Sequence, residues 1–224
     1  MVASKLFSAE DRKAISAAVT DAERKTSAEI VPVVATISDR YERAEDLVGI
    51  LLAYVAVAAT WTLPQQLLAA SDWEGSAEFR LQLPFVLGVI AVGWMVGLFL
   101  ARMFPWLKRL ALTQRTMTAR VLIAAHHAFD SLHAHKTVGG TGVVVYVSLF
   151  ERRVCVWADR KVSEKIPEAE WKSITEQLIH ALRDGKPRDG FVEAIRKAGE
   201  LLAKPFPVQP GDTNELSNEL RILD

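Results

Sequence analysis

Cysteine is almost missing from this 224-residue chain, which carries only Cys155. A lone thiol excludes an internal disulfide and suits a reducing compartment. Cys155 sits in an apolar, strand-like run, so a packed core thiol is expected rather than a nucleophile. Net charge is absent too, because 27 Lys and Arg balance 27 Asp and Glu. No global basic surface therefore points to nucleic acid, and only local charge asymmetry is informative. Met1-Val-Ala-Ser-Lys-Leu-Phe-Ser-Ala-Glu-Asp has no apolar core behind its charges, so no signal peptide is expected. No repeat, low-complexity tract, paired cysteines or His-Glu-x-x-His pattern occurs, which leaves zinc without support. The glycine run Gly139-Gly-Thr-Gly142 lacks the Lys-Ser/Thr of a phosphate-transfer loop.

Charge also vanishes locally, and there the chain is most informative. Residues 47–71 contain no ionisable acid or base, and residues 81–101 contain none either. A bilayer core about 30 Å thick needs roughly 20 apolar residues of helix, and both runs meet that length. A buried pair of soluble helices would normally keep a polar stripe, and neither run has one. Trp61 and Trp73 on the loop side, with Phe104 and Trp106 beyond the second run, suit membrane interfaces. The runs predict a transmembrane helical hairpin.

Basic residues near span ends are retained in the cytoplasm. Arg40 and Arg43 precede the first run, and Arg102, Lys108, Arg109, Arg115 and Arg120 follow the second. The connecting residues 71–80 hold three acids and only Arg80 as a base. The expected arrangement is a two-span protein of the inner (plasma) membrane with both termini cytoplasmic. The lipid bilayer is its first partner, and Arg102, Lys108 and Arg109 read as an anchor for anionic lipid.

Elsewhere the pattern alternates between helix and strand. Residues 7–25 read as an amphipathic helix opened by a capping-box-like Ser8 and Asp11. Glu29-Ile-Val-Pro-Val-Val-Ala-Thr-Ile37 reads as a strand, with Pro32 placing it at a sheet edge or at a bulge. Residues 107–136 lack Gly and Pro and read as one helix roughly 45 Å long, part of it a stem near the membrane. Val143-Val-Val-Tyr-Val-Ser-Leu149 and Arg153-Val-Cys-Val-Trp157 read as strands joined by a tight turn at Phe150 and Glu151. Residues 168–183 and a stretch from Phe191 to Leu202 read as helices, with Gly185 stopping the first and Pro205 and Pro207 ending the second.

Residues 1–46 cannot bury a core alone, so their strand must pair with those beyond Gly142. The expected division is 1–46, the first part of a cytoplasmic domain; 47–101, the hairpin; 102–208, the second part with its stem helix; and 209–224, a polar tail with an apolar end at Leu220, Ile222 and Leu223. A crossover favours a parallel first pair, and the tight turn makes the second pair antiparallel. Asp39 and the Phe150-Glu151 turn then share one end of the sheet. Ser27, the glycine loop and Asp159 share the other.

Three stretches carry a family resemblance: Thr26-Ser-Ala-Glu-Ile-Val-Pro-Val-Val, Thr141-Gly-Val-Val-Val-Tyr-Val-Ser-Leu-Phe-Glu-Arg-Arg-Val, and Asn214-Glu-Leu-Ser-Asn-Glu-Leu. Together they resemble the TPM-domain family, in its membrane-anchored branch. The resemblance implies an α/β/α sandwich with a small mixed sheet, here interrupted by the hairpin. It also implies one of three roles described for the family: acid phosphatase, calcium binder, or accessory factor for a membrane complex. Where the better-described branch has a Gly-Tyr-Gly-Leu-Glu type of loop, this chain has Ala158-Asp-Arg-Lys-Val-Ser163.

Asp159 is the best single acid, because it ends a strand facing Gly139, Gly140, Thr141 and Gly142. Loop amides with Arg160 and Lys161 can hold a phosphate, and Asp159 with Glu29 or Glu164 can hold a hard cation. The competing reading is a solvated strand end beside an ordinary turn. His126, His127, His133 and His135 invite a metal, with His126 and His133 or His126 and Asp130 converging on a helix face, against a wet helical face. No cofactor is evident from the residues, and calcium enters through the resemblance alone. Two functions remain: an interaction or accessory protein for a membrane complex, and a phosphatase or cation-dependent hydrolase using Asp159.

Overall fold

The computed structural model describes residues 2–69, 82–137, 139–209 and 214–224. In chain order come helices α1 (Ala3–Leu6) and α2 (Ala9–Glu23), strand β1 (Ile30–Ala35), and helices α3 (Glu42–Ala69), α4 (Leu83–Met103), α5 (Pro105–Ala111) and α6 (Gln114–Ser131). Strands β2 (Val143–Ser148) and β3 (Arg153–Ala158) follow, then helices α7 (Arg160–Lys165), α8 (Glu168–Arg183) and α9 (Pro187–Ala203), and strand β4 (Arg221–Leu223). Contacts gather these into two compact units, Met1–Asp39 with Arg115–Asp224, and Arg40–Gln114.

The first unit is an α/β/α sandwich around a four-stranded sheet of order β3-β2-β1-β4. β1 and β2 run parallel with Ile30 opposite Val143, and β2 and β3 run antiparallel with Ser148 opposite Arg153. Strand side chains alternate between faces. Ile30 and Val34 with Val143, Val145 and Val147 join a core that includes Ile15, Trp171, Leu178, Phe191 and Ile195 from α2, α8 and α9. Val31, Val33 and Ala35 with Val144 and Tyr146 join a second core with Val121, Ala125 and Phe129 of α6. A parallel pair needs both faces covered, and helices supply both covers.

Local chemistry sets the element ends. Ser8 and Asp11 form a complete capping box at α2, in which Ser8 Oγ accepts from Asp11 N at 3.1 Å and Asp11 accepts from Ser8 N at 2.9 Å. Gly185 follows the end of α8 at φ +72°. Three expectations need correction. β1 lies inside the sheet rather than at its edge, since β4 pairs with its other side, but that ladder begins at Val33 and leaves Pro32 outside it. The expected single helix over 107–136 is broken: Leu112 is extended at φ −100°, ψ 134°, and α6 restarts after Thr113, a residue type favoured at helix starts. The segment expected to be a tail instead joins the sheet: its apolar end puts Leu220 in the core and adds β4.

The second unit is a helical hairpin, with α5 packed on both long helices. Small residues form its inner seam: a Cβ on Gly93 would meet Ala53 Cα at 2.9 Å, and one on Gly97 would meet Gly49 Cα at 2.5 Å. Large residues, among them Leu51, Tyr54, Leu87, Met95 and Phe99, are exposed. Near one end the buried Glu45 carboxylate accepts from Lys108 Nζ at 2.5 Å and Arg102 Nε at 3.0 Å. Arg102 and Lys108, expected to meet lipid, are therefore engaged within the unit. Residues 71–80, with the expected outer loop and Trp73, lie outside the described residues.

Candidate functional site

The sheet of the first unit has two ends with different chemistry. At the amino ends of β1 and β2, backbone segments around Ser27, Gly142 and Asp159 meet. Thr141 Oγ1 donates to the Ser27 carbonyl at 2.9 Å, and Asp159 N donates to the Gly142 carbonyl at 2.9 Å. Lys161 Nζ donates to the Gly139 carbonyl at 2.6 Å. The glycine loop, Asp159, Arg160 and Lys161 thus lie together.

Their functional atoms are engaged locally. Asp159 is the N-cap of α7, its carboxylate accepting from Arg160 N at 2.6 Å. The exposed Arg160 guanidinium pairs with Glu164 at 2.8 Å. Gly140 adopts φ +61°, and a Cβ at Gly142 would lie 2.1 Å from the Ala134 carbonyl oxygen. Backbone shape and close packing account for both glycines.

Glu29 points elsewhere. Its buried carboxylate accepts from Glu215 N at 3.3 Å and Leu216 N at 3.4 Å, pinning the chain that leads into β4. Beside it, Glu23 accepts from Ile30 N at 3.0 Å and Asn218 Nδ2 at 2.7 Å. Burial pushes the Glu23 carboxyl up to about 8, opposed by the Ile30 hydrogen bond and reinforced by the charge of Glu29. Among the described residues no group of three or more His, Cys, Asp and Glu is placed to hold a metal.

The Glu23 shift has a sign that can be measured. An unfolded carboxyl titrates near 4.5, so between that value and about 8 the folded chain holds a proton the unfolded chain has released. This contribution is fully present below the unfolded value and is lost as pH rises through the folded one. The thermal midpoint should fall from about pH 5 to about pH 9 more steeply in the wild type than in Glu23→Gln, whose amide cannot ionise. Identical slopes would refute the assignment.

The carboxyl ends of β1 and β2, where open α/β sheets place their ligands, carry a cluster that sequence reasoning missed. Ser38 N donates to Glu151 Oε1 at 3.0 Å, Ser38 Oγ donates to Ser148 Oγ at 2.9 Å, and Ser148 Oγ donates to Glu151 Oε2. Tyr146 Oη lies 3.2 Å from Ser38 Oγ, and burial raises its phenol above the usual range. Glu151 and Ser148 are 2% and 1% exposed, so the cluster ties the chain beyond β1 to the β2–β3 turn instead of meeting solvent. The only sequence signal was polarity at the ends of two strands. Asp39 pairs with Arg120 at 2.9 Å just beyond Ser38.

The histidines are divided. His126 Nε2 lies 3.5 Å from Asp130 on α6, as its i+4 spacing predicted, and packs on Trp157 with ring centres 4.9 Å apart. His133 lies past the end of α6 at φ +57°, so the expected shared face with His126 does not form. His127 packs its ring 6.2 Å from that of His126, and His135 Nδ1 lies 3.9 Å from Asp130. Burial pushes the Cys155 thiol up to about 11, which suits a packed thiol rather than a thiolate nucleophile.

The model of a family described as the TPM domain matches residues 111–201, from the end of α5 to near the end of α9. The solved NMR structure of BA42 protein from the psychrophilic bacterium Bizionia argentinensis is similar at a TM-score of 0.55 and 19% identity, covering 96% of this chain and 94% of that one. That likeness is one of fold. No curated protein matches the chain. The matched stretch supplies β2, β3, α6, α8 and α9, and over those residues the chain is similar to the TPM domain.

Proposed function

We propose that this chain is a membrane-anchored interaction or accessory protein, in which α3 and α4 cross the inner (plasma) membrane and hold the TPM domain, with both termini, on the cytoplasmic side. The observation that carries the reading is the inverted packing of the hairpin. Its candidate spans, Glu42–Leu63 and Leu83–Met103, have only 17% and 6% of their most apolar windows buried. A soluble core helix would bury its large apolar side chains, whereas here small residues face inward and large ones outward. The bases flanking the spans support the orientation.

Support for an accessory role over hydrolysis comes from the engaged state of the candidate acids. Asp159 caps a helix and Glu29 pins the C-terminal strand, so each has a structural task. Calcium, suggested by resemblance, would have to displace those bonds. A reporter inserted within residues 71–80 should be accessible from outside the cell, and site-specific crosslinking in intact membranes should trap a membrane-protein neighbour. The purified full-length chain and its Asp159→Ala variant should be equally inactive on a generic phosphomonoester. Clear hydrolysis lost in that variant, with no trapped neighbour, would reverse the assignment in favour of a phosphatase.

A further inference from the structure

A groove of about 680 Å³ opens in the first unit between the β2–β3 turn, the α8–α9 turn and the junction of α1 with α2. Its volume falls in the range of sites that hold one ligand, roughly 300–1,000 Å³. Leu6, Leu149, Ile179 and Leu182 line it and are only half-buried, leaving an accessible apolar floor. Around them stand Arg152, Arg183, Lys186 and Arg188, against two acids, Asp11 and Asp189.

Both acids are already engaged. Asp11 closes the α2 capping box, and its hydrogen bonds from Ser8 hold its carboxyl below the usual range. Asp189 takes Arg188 at 2.9 Å. Arg152, Arg183 and Lys186 are exposed, and among the described residues none of the three has an acidic partner. The amino end of α9, a 17-residue helix starting at Pro187, adds its positive dipole end to the same groove. An apolar floor beneath an uncompensated basic rim is complementary to a ligand that joins negative charge to apolar anchors.

We infer that this groove is the docking site for an acidic peptide segment of a partner protein, with leucine- or phenylalanine-type anchors on the floor and carboxylates on Arg152, Arg183 and Lys186. The assignment rests on the proposed interaction role and names the chemistry of the partner. A chain of carboxylates interleaved with apolar residues matches the mixed lining along the groove's length. Charge complementarity sets orientation and encounter rate, while the anchors supply most of the affinity.

The test uses the full-length chain in nanodiscs of neutral phosphatidylcholine and a fluorescent peptide, Glu-Leu-Glu-Glu-Phe-Glu, followed by anisotropy. Its basic counterpart, with Lys for Glu, and an anchorless version, with Gly for Leu and Phe, serve as comparisons. The acidic, anchored peptide should bind at least about tenfold more tightly than either, since one comparison reverses all four charges and the other removes both anchors. Charge reversal by Arg183→Glu with Lys186→Glu should weaken it by a similar factor, and Arg183→Gln with Lys186→Gln should fall between. Arg24→Gln, outside the groove lining, should match the wild type. Equal binding of the three peptides, or unchanged affinity in the charge-reversed variant with an unaltered thermal midpoint, would overturn the inference. So would peptide binding abolished by phosphatidylglycerol nanodiscs in the wild type but not in the charge-reversed variant, because lipid would then be the occupant. Membrane insertion is read separately by fractionation, so a failure of the anchor and a failure of the groove give different results.

Discussion

Gly97→Leu should split the helical hairpin. A Cβ at this position would stand 2.5 Å from Gly49 Cα and 3.0 Å from the Val48 carbonyl oxygen, and both obstacles are backbone. Backbone cannot rotate aside as a side chain can, so the helices must separate and lose the seam contacts at Gly93 and Ala53. Overpacking of this kind costs about 1–3 kcal/mol and sometimes more. Close approach of small residues is a main source of helix association in lipid, where water does not drive apolar surfaces together. The matched control is Gly88→Leu, since a Cβ there has nothing within 4 Å. Thermal unfolding of the full chain in mild detergent should show a clear drop in midpoint for Gly97→Leu and little change for Gly88→Leu. Equal midpoints would mean that the seam does not hold the hairpin together.

Glu151→Ala should be the most damaging single change at the carboxyl ends of the strands. The carboxylate accepts from Ser38 N and Ser148 Oγ, and its removal leaves a half-buried and a buried donor without their acceptor. Each stranded group costs about 1–3 kcal/mol, which puts the loss near about 3 kcal/mol. At roughly 2–4 °C per kcal/mol for a domain of this size, the melting midpoint should fall by about 6–12 °C. Glu151→Gln keeps one acceptor for Ser38 N and should lose less than half as much. A melting curve for Glu151→Ala within a degree or so of the wild type would show that the bonds carry no net stability.

The two changes differ in how visible they were beforehand. The hairpin was legible as two uncharged runs, because length and hydropathy are local properties. Which glycine sits on the seam was not, because that depends on the rotation of one helix against the other. Ser38 and Glu151 are 113 positions apart, and no spacing rule joins them. β4 escaped notice for a related reason. Three residues are too few to show a strand period, and Arg221–Leu223 become a strand only because Val33–Ala35 offer an open side. The break at Leu112 was signalled weakly by Thr113, but an otherwise uninterrupted helical pattern outweighed it.

The candidate site divides along the same line. Asp159 and the glycine loop were correctly brought to one end of the sheet, since parallel β1–β2 pairing and a tight β2–β3 turn leave no other arrangement. What their atoms do there was decided by neighbours distant in sequence: Ala134 fills the space beside Gly142, and Glu29 reaches the tail at Glu215 and Leu216.

By itself, the sequence determined strands β1, β2 and β3 and how they pair, the helices α2, α8 and α9, and that the α/β unit is interrupted by a two-helix insertion. Those follow from periodicity, run length and connection length, all of which act between near neighbours along the chain. Tertiary structure alone decided the glycine seam, the buried Ser38–Ser148–Glu151 cluster, the raised Glu23 carboxyl and the basic groove beside α9. Each of these depends on groups brought together through space, where exclusion of water and the presence or absence of a partner set the energy.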